Sequence, residues 1–97
     1  MQRSEALRII SEHKKEIEGF GVRRLALFGS VARNEAGPES DIDVLVEFDD
    51  RPIGLFEFLD LKQYLEGVLN RPVDLVDEDG LKRQLREGIL KEAIPAA

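Results

Sequence analysis

The alternating segment at residues 42–48, Ile-Asp-Val-Leu-Val-Glu-Phe, is the feature that most limits how this chain can fold. Successive side chains of a β-strand point to opposite faces, so this segment has one apolar face and one partly acidic face. The apolar face carries Ile42, Val44, Val46 and Phe48, and the other carries Asp41, Asp43, Leu45 and Glu47. A strand with this pattern requires a layer of apolar side chains packed against its apolar face.

The remaining apolar patterns predict the elements that supply this layer. Residues at helical spacing predict helices over 4–18, 54–69 and 80–93. Short apolar runs predict strands at 24–28 and 73–76, with one helical turn at residues 31–33. The resulting order is helix, strand, short helix, strand, helix, strand, helix. It predicts an α/β fold in which a small three- to four-stranded mixed sheet is flanked by helices.

Some details of these elements are specific enough to compare with a structure. Ser4 is predicted as the N-cap of the first helix, and residues 49–52 as a turn. The apolar side of helix 54–69 is predicted to contain Leu55, Phe58, Leu59, Leu65, Val68 and Leu69. The core face of helix 80–93 is predicted to contain Leu81, Leu85, Ile89 and Leu90.

Composition excludes several classes of protein. With 97 residues the chain is expected to form one domain over residues 1–97. It has no cysteine and a single histidine, His13, which excludes disulfides, thiolate metal sites and a zinc site built from histidines alone. The net charge of −6 argues against a general nucleic-acid binder. Since no apolar run is long enough for a signal core or a membrane span, the cytoplasm is the expected compartment.

Gly29 and Ser30 lie where the predicted strand 24–28 ends and a helical turn begins. The start of a helix presents free N–H groups that suit a phosphate, and glycine has no Cβ, so a phosphate can approach the backbone closely. The Ser30 hydroxyl adds a further donor. The same pair also fits a plain helix cap, so the two residues alone leave both interpretations open.

Three aspartates are candidate metal ligands. Asp41 and Asp43 lie two residues apart on one face of a strand, where paired carboxylates can hold one divalent cation or bridge two. Mg²⁺ suits oxygen ligands and usually shares its shell with substrate phosphates. Asp74 lies inside the apolar strand 73–76, where aspartate is disfavoured, and it can face the first two if the strands are neighbours. The alternatives are a solvated acidic pair near a turn and a solvent-facing edge position for Asp74.

Taken together, these residues resemble a known family. Gly29-Ser30, ten further residues and then Asp41-Ile42-Asp43 are similar to the signature of nucleotidyltransferases related to DNA polymerase β. The segment GSVARNEAGPESDIDVLVEF resembles the minimal nucleotidyltransferases, which are antitoxin partners of HEPN-domain toxins. The resemblance extends over essentially the whole chain, and it implies the polymerase β-like nucleotidyltransferase fold.

The resemblance implies a role for each matching residue. Asp41, Asp43 and Asp74 match the catalytic carboxylates that bind two Mg²⁺ ions, the match of Asp74 resting on its place in a strand. Gly29 and Ser30 match the positions that hold the nucleotide triphosphate, and Arg33 falls at a frequent arginine that either contacts phosphate or braces the loop. The family often has glycine where this chain has Asn34, and asparagine tolerates the left-handed backbone of such a turn.

The resemblance also implies an activity and a partner. The expected reaction is Mg²⁺-dependent transfer of a nucleoside monophosphate, AMP from ATP, to a hydroxyl of a partner protein. The expected partner is a HEPN RNase toxin in a hetero-oligomer, and no stable direct binding of nucleic acid or membrane is expected. Two alternatives stay open: a non-catalytic antitoxin that acts by direct binding, and a nucleotidyltransferase that acts on RNA or a small molecule.

Overall fold

A four-stranded mixed sheet organises residues 1–50 and 53–97, which are the residues that the computed structural model of this chain describes. Its strands are β1 (Val22–Phe28), β2 (Ile42–Phe48), β3 (Val73–Asp77) and β4 (Ile94–Pro95). They lie in the order β3-β2-β1-β4. Strand β1 is antiparallel to both β2 and β4, whereas β2 and β3 are parallel. The predicted small mixed sheet of three to four strands is therefore confirmed.

The helices connect these strands, and most of them pack against one face of the sheet. They are α1 (Arg3–Glu12), α2 (Lys14–Gly19), α3 (Gly29–Ala32), α4 (Leu55–Leu69) and α5 (Arg83–Glu92), and a 3₁₀ turn at Glu78–Gly80 follows β3. A parallel pair of strands requires a crossover connection, which α4 supplies between β2 and β3. None of the helices described here is long and apolar enough to cross a membrane.

The hydrophobic core confirms the alternation predicted for β2. Ile42, Val44 and Val46 are fully buried and Phe48 is 8% exposed, whereas Asp43 and Glu47 on the opposite face are only half-buried. The helical layer contributes the buried residues Ala6, Ile10, Ile17, Leu61, Leu65 and Leu69. Because the helices cover this face, the acidic face of β2 remains open to solvent at its Asp43 end.

The predicted helix over residues 4–18 is two helices that meet at His13. The backbone of His13 leaves the helical region, at φ −111° and ψ 21°, and α2 begins after it. The predicted N-cap at Ser4 is wrong, because α1 already begins at Arg3. Asn34 instead accepts a hydrogen bond from the Arg3 N–H at its Oδ1, at 3.2 Å. Asn34 itself has φ +60°, the left-handed backbone expected at that position.

The two later helices bury less than predicted. In α4 the buried residues are Leu61, Leu65 and Leu69, while Leu55 and Leu59 are exposed, so the predicted apolar side was partly wrong. Helix α5 begins at Arg83 and has no buried residue, so its predicted core face is wrong as well.

Two further expectations concern the loops and the last strand. Strand β4 follows α5 and was not predicted. It has two residues and pairs with the edge of β1, where proline is tolerated. The predicted turn at 49–52 lies partly outside the described residues.

The Glu66 carboxylate of α4 forms a hydrogen bond with the backbone at the start of β3. Because this bond changes the pKa of Glu66, the pH dependence of stability tests it. Its Oε2 accepts hydrogen bonds from the Val73 N–H at 3.0 Å and from the Lys62 ammonium at 3.3 Å. The Val73 bond is the largest cause that lowers the pKa of Glu66, and Lys62 contributes further. A lowered folded-state pKa stabilises the fold above the ordinary glutamate pKa, and this stabilisation is lost as the pH falls through the folded value.

We therefore expect Glu66→Gln to lower the free energy of unfolding by about 1 kcal/mol at pH 7. The difference in the free energy of unfolding between the variant and wild type should narrow as the pH falls below about 4.3, because wild-type Glu66 then becomes neutral as well. Urea unfolding from pH 3 to pH 7 measures it, with Asp60→Asn on the exposed side of α4 as the control. A difference that is constant over this range would contradict the assigned role of the ionised carboxylate.

Candidate active site

The end of β1 and the beginnings of β2 and β3 lie along one edge of the sheet, the edge that runs across the strands. Asp43 lies at the centre of this edge. Strand β1 ends where its antiparallel partner β2 begins, so Phe28 pairs with Asp43. The parallel strands β2 and β3 begin together, so Asp43 also pairs in register with Asp74. Paired residues of neighbouring strands share a face of the sheet, with strands about 4.8 Å apart. Asp43 and Asp74 therefore lie side by side on the face that the helical layer leaves open.

Gly29 lies directly in front of Asp43. Its backbone has φ +68°, a left-handed conformation that favours glycine. A Cβ at this position would overlap Oδ2 of Asp43 and would lie 2.9 Å from its Cγ. The absence of a side chain is therefore required both by the backbone and by the space beside Asp43. The Gly29–Ser30 turn and the carboxylates that the sequence singled out are thus neighbours.

The three aspartates interact electrostatically. Burial is the largest cause that raises the pKa of Asp43, and the charges of Asp74, Asp41 and Glu92 raise it further, while Arg33 opposes them. Asp41 and Asp74 are exposed. Within residues 1–50 and 53–97, no three acidic, histidine or cysteine side chains converge closely enough to hold a metal ion by themselves. The structure thus brings Asp43 and Asp74 together in register, with Asp41 close enough to act on Asp43 by its charge.

The residues at this edge fit a divalent cation that is shared with a phosphate ligand. Mg²⁺ is usually bound through one or two carboxylates, and substrate phosphates and waters complete its shell. The Asp43–Asp74 pair supplies hard oxygen ligands, and neighbouring negative charge already disfavours the ionised form of Asp43. A cation at this position would relieve that repulsion. Gly29 leaves space beside these oxygens for a phosphate.

Arg33 and Glu92 form the other side of the site. The Arg33 guanidinium donates to Glu35 Oε2 at 3.1 Å and to Glu92 Oε2 at 3.0 Å. Glu92 Oε1 accepts a hydrogen bond from the Gly29 N–H at 2.9 Å, and this bond is the main cause that lowers the pKa of Glu92. In this structure, Arg33 therefore braces the loop. Sequence reasoning did not single out Glu92, because nothing near residue 92 signals a contact 63 positions earlier in the chain.

His13 and Tyr64 belong to the helical layer and not to this site. Nδ1 of His13 lies 2.8 Å from the carbonyl oxygen of Ile9, and its ring packs edge-on against Tyr64. Tyr64 also packs against Phe20. These contacts give both residues a structural role between helices.

Comparison with known proteins identifies the family to which this chain belongs. A sequence profile of the nucleotidyltransferase domain matches residues 5–97. The protein adenylyltransferase MntA of Thermococcus cleftensis is 44% identical over 87 residues, which cover 89% of this chain and 87% of the relative. The residues that the profile matches span the Gly29–Ser30 turn and the three aspartates.

Solved structures show the same fold. A protein assigned as a minimal nucleotidyltransferase superposes with a TM-score of 0.86 at 40% identity, covering 98% of this chain and 96% of that chain. A chain of the complex between the tri-AMPylated Shewanella oneidensis HEPN toxin and an MNT antitoxin has a TM-score of 0.69 at 20% identity. The match covers 95% of this chain and 71% of that chain, and it shows likeness of fold alone. The profile match and the 44% identity show that this chain belongs to the nucleotidyltransferase domain family, as its sequence pattern predicted, with the fold of the minimal nucleotidyltransferase that it superposes on.

Proposed function

We propose that this chain is a Mg²⁺-dependent protein adenylyltransferase that transfers AMP from ATP to a hydroxyl of a HEPN-domain toxin and so acts as its antitoxin. The observation that carries the proposal is the placement of Asp43, in register with Asp74 and directly behind a glycine that has no room for a side chain. A relative that is 44% identical over 87 residues is named for protein adenylylation, which supports ATP as the nucleotide.

We propose one role for each residue of the site. Asp41, Asp43 and Asp74 would hold two Mg²⁺ ions, which offset the charge of the triphosphate and stabilise the attacking and leaving oxygens. Gly29 lets the phosphates approach the backbone, and the Ser30 hydroxyl donates to them. The acceptor oxygen would bond to the α-phosphorus as the bond to pyrophosphate breaks, and the hydroxyl proton would pass to solvent, a loss that Asp74 favours. No side chain of this chain forms a covalent intermediate.

The proposed partner is a basic surface of the toxin. The chain carries a net charge of −6, and complementary charge steers partners together and suppresses wrong ones. A structural neighbour is a complex of a HEPN toxin with an MNT antitoxin, which supports a partner of this class. We propose that the active unit is one domain over residues 1–97, that it works in the cytoplasm and that it forms a hetero-oligomer with the toxin.

The experiment uses the purified chain, ATP labelled at the α-phosphate, Mg²⁺ and a HEPN-domain protein from the same organism. We expect label on the HEPN protein, no label when EDTA replaces Mg²⁺, and no label on RNA offered in its place. Label on RNA or on a small molecule would support the alternative acceptor class. A toxin that is inhibited without any label would support the non-catalytic antitoxin.

A further inference from the structure

Glu92 connects the end of the last helix to the nucleotide side of the site. It is the final residue of α5, and its carboxylate makes two bonds to the segment around α3. Oε1 accepts the Gly29 N–H at 2.9 Å, and Oε2 accepts from the Arg33 guanidinium at 3.0 Å. The Glu92 side chain thus bridges Gly29, the first residue of α3, and Arg33, which directly follows that helix. The side chain is 33% exposed, so these bonds lie at the partly open edge of the site.

Helix α3 depends on contacts of this kind. It has four residues, and a helix this short does not persist without tertiary contacts, because nucleation is costly and few internal bonds form. Its first residue, Gly29, adopts the left-handed φ of +68° that places it against Asp43. The Glu92 carboxylate fixes the peptide N–H of this same residue. The position of the turn relative to Asp43 is therefore set partly from α5.

Helix α5 lies at the surface. None of its residues is buried, and Leu85 and Leu90 remain 58% and 41% exposed. In its middle, Arg86 donates to the buried Glu78 at 3.3 Å. Glu92 joins α5 to the Gly29–Ser30 turn through its hydrogen bond with the Gly29 N–H.

We infer that Glu92 is a positioning residue for the nucleotide: by holding the Gly29 N–H and Arg33 together, it fixes the Gly29–Ser30 turn at the place beside Asp43 where the triphosphate binds. This inference rests on the proposed nucleotide site and not on the identity of the acceptor. A positioning role for Glu92 differs from a purely structural role, because Glu92 would then change nucleotide affinity through the Gly29–Ser30 turn. It also differs from competition, in which the carboxylate would occupy the place of a phosphate and its removal would tighten binding.

The experiment measures the dissociation constant of Mg²⁺-bound AMP-PNP, an ATP analogue with an imido group between its β- and γ-phosphates, by calorimetry, with no acceptor for AMP present. We expect Glu92→Ala to weaken binding about tenfold, the effect of losing a charge-assisted hydrogen bond that orders the turn. Glu92→Gln keeps an oxygen for the Gly29 N–H and should recover part of this loss. Glu87→Ala, an exposed glutamate of the same helix, is the matched control and should bind as wild type does.

Two further readouts separate the outcomes. Amide hydrogen exchange at Gly29 should quicken in Glu92→Ala and less so in Glu92→Gln, and thermal unfolding shows that each variant is folded. If wild type binds and Glu92→Ala binds equally well or more tightly, the inference is overturned while the proposed function stands. If weaker binding of Glu92→Ala is not rescued at all by glutamine and Gly29 exchange is unchanged, the inference is also overturned. If wild type itself does not bind Mg²⁺-bound AMP-PNP, the proposed function and the inference fall together.

Discussion

The Asp43→Asn variant is expected to lose nucleotidyl transfer by about 10³-fold or more while it folds normally. Asp43 is the central carboxylate of the site, in register with Asp74 on one side and with Phe28 on the other. Asparagine has nearly the same shape but no charge. It therefore cannot balance the positive charge of the Mg²⁺ that the proposed reaction requires. Label transfer from ATP at saturating Mg²⁺ measures the loss, with the exposed Asp60→Asn as the control.

The same substitution is expected to maintain or raise the stability of the chain while it abolishes activity. Burial and the charges of Asp74 and Asp41 raise the pKa of Asp43 in the folded chain. A carboxyl whose folded pKa is raised contributes stability below its unfolded pKa, and that contribution is lost as the pH rises through the folded value. At pH 7 in EDTA, neutral asparagine removes this cost, so the melting temperature should equal or exceed that of wild type. An inactive variant that is also unfolded would not support the assignment of Asp43 as a catalytic residue.

Asp43→Asn also separates catalysis from binding. If transfer of AMP neutralises the toxin, the variant should bind the HEPN protein yet fail to suppress its toxicity in cells. If the variant protects cells as well as wild type does, direct binding is sufficient, and the non-catalytic antitoxin becomes the correct interpretation. Co-purification of the variant with the HEPN protein is the control that shows binding is retained.

The sequence predicted those parts of the fold that follow from local patterns. The alternation over residues 42–48 placed both faces of β2 correctly, because the two-residue period of a strand does not depend on its neighbours. Apolar runs likewise identified β1 and β3, with errors of one or two residues at their ends. The register that pairs Asp43 with Asp74 required one further condition, that β2 and β3 be adjacent, and the structure meets it.

The parts that the sequence did not reveal depend on single backbone angles or on long-range contacts. Nothing in the helical pattern of residues 4–18 signals the non-helical backbone of His13. The amphipathic pattern of α5 predicts an apolar face but does not say that the face stays exposed. Strand β4 has two residues, too few to show a period. The Glu92–Gly29 bond joins residues 63 positions apart, so only the folded chain shows it.

Gly29→Ala is expected to reduce transfer activity by about 10²-fold or more, because the geometry beside Asp43 must change. The added Cβ would overlap the Asp43 carboxylate, and that side chain is the part that must turn away, since it is more easily displaced than the backbone. The left-handed φ of +68° adds strain, and we expect a loss of about 1–2 kcal/mol in the free energy of unfolding.

Gly88→Ala is the matched control for this substitution. A Cβ at Gly88 would meet no atom within 4 Å among residues 1–50 and 53–97, apart from the backbone of its own helix, and the residue lies in the middle of α5, so alanine should stabilise the chain by about 0.5–1 kcal/mol. Transfer activity and chemical unfolding, measured on both variants, then separate the effect of a new methyl group from the effect of its position. A Gly29→Ala protein that retains wild-type activity would show that the Asp43 carboxylate need not keep its place beside the turn, and the proposed site would then be wrong.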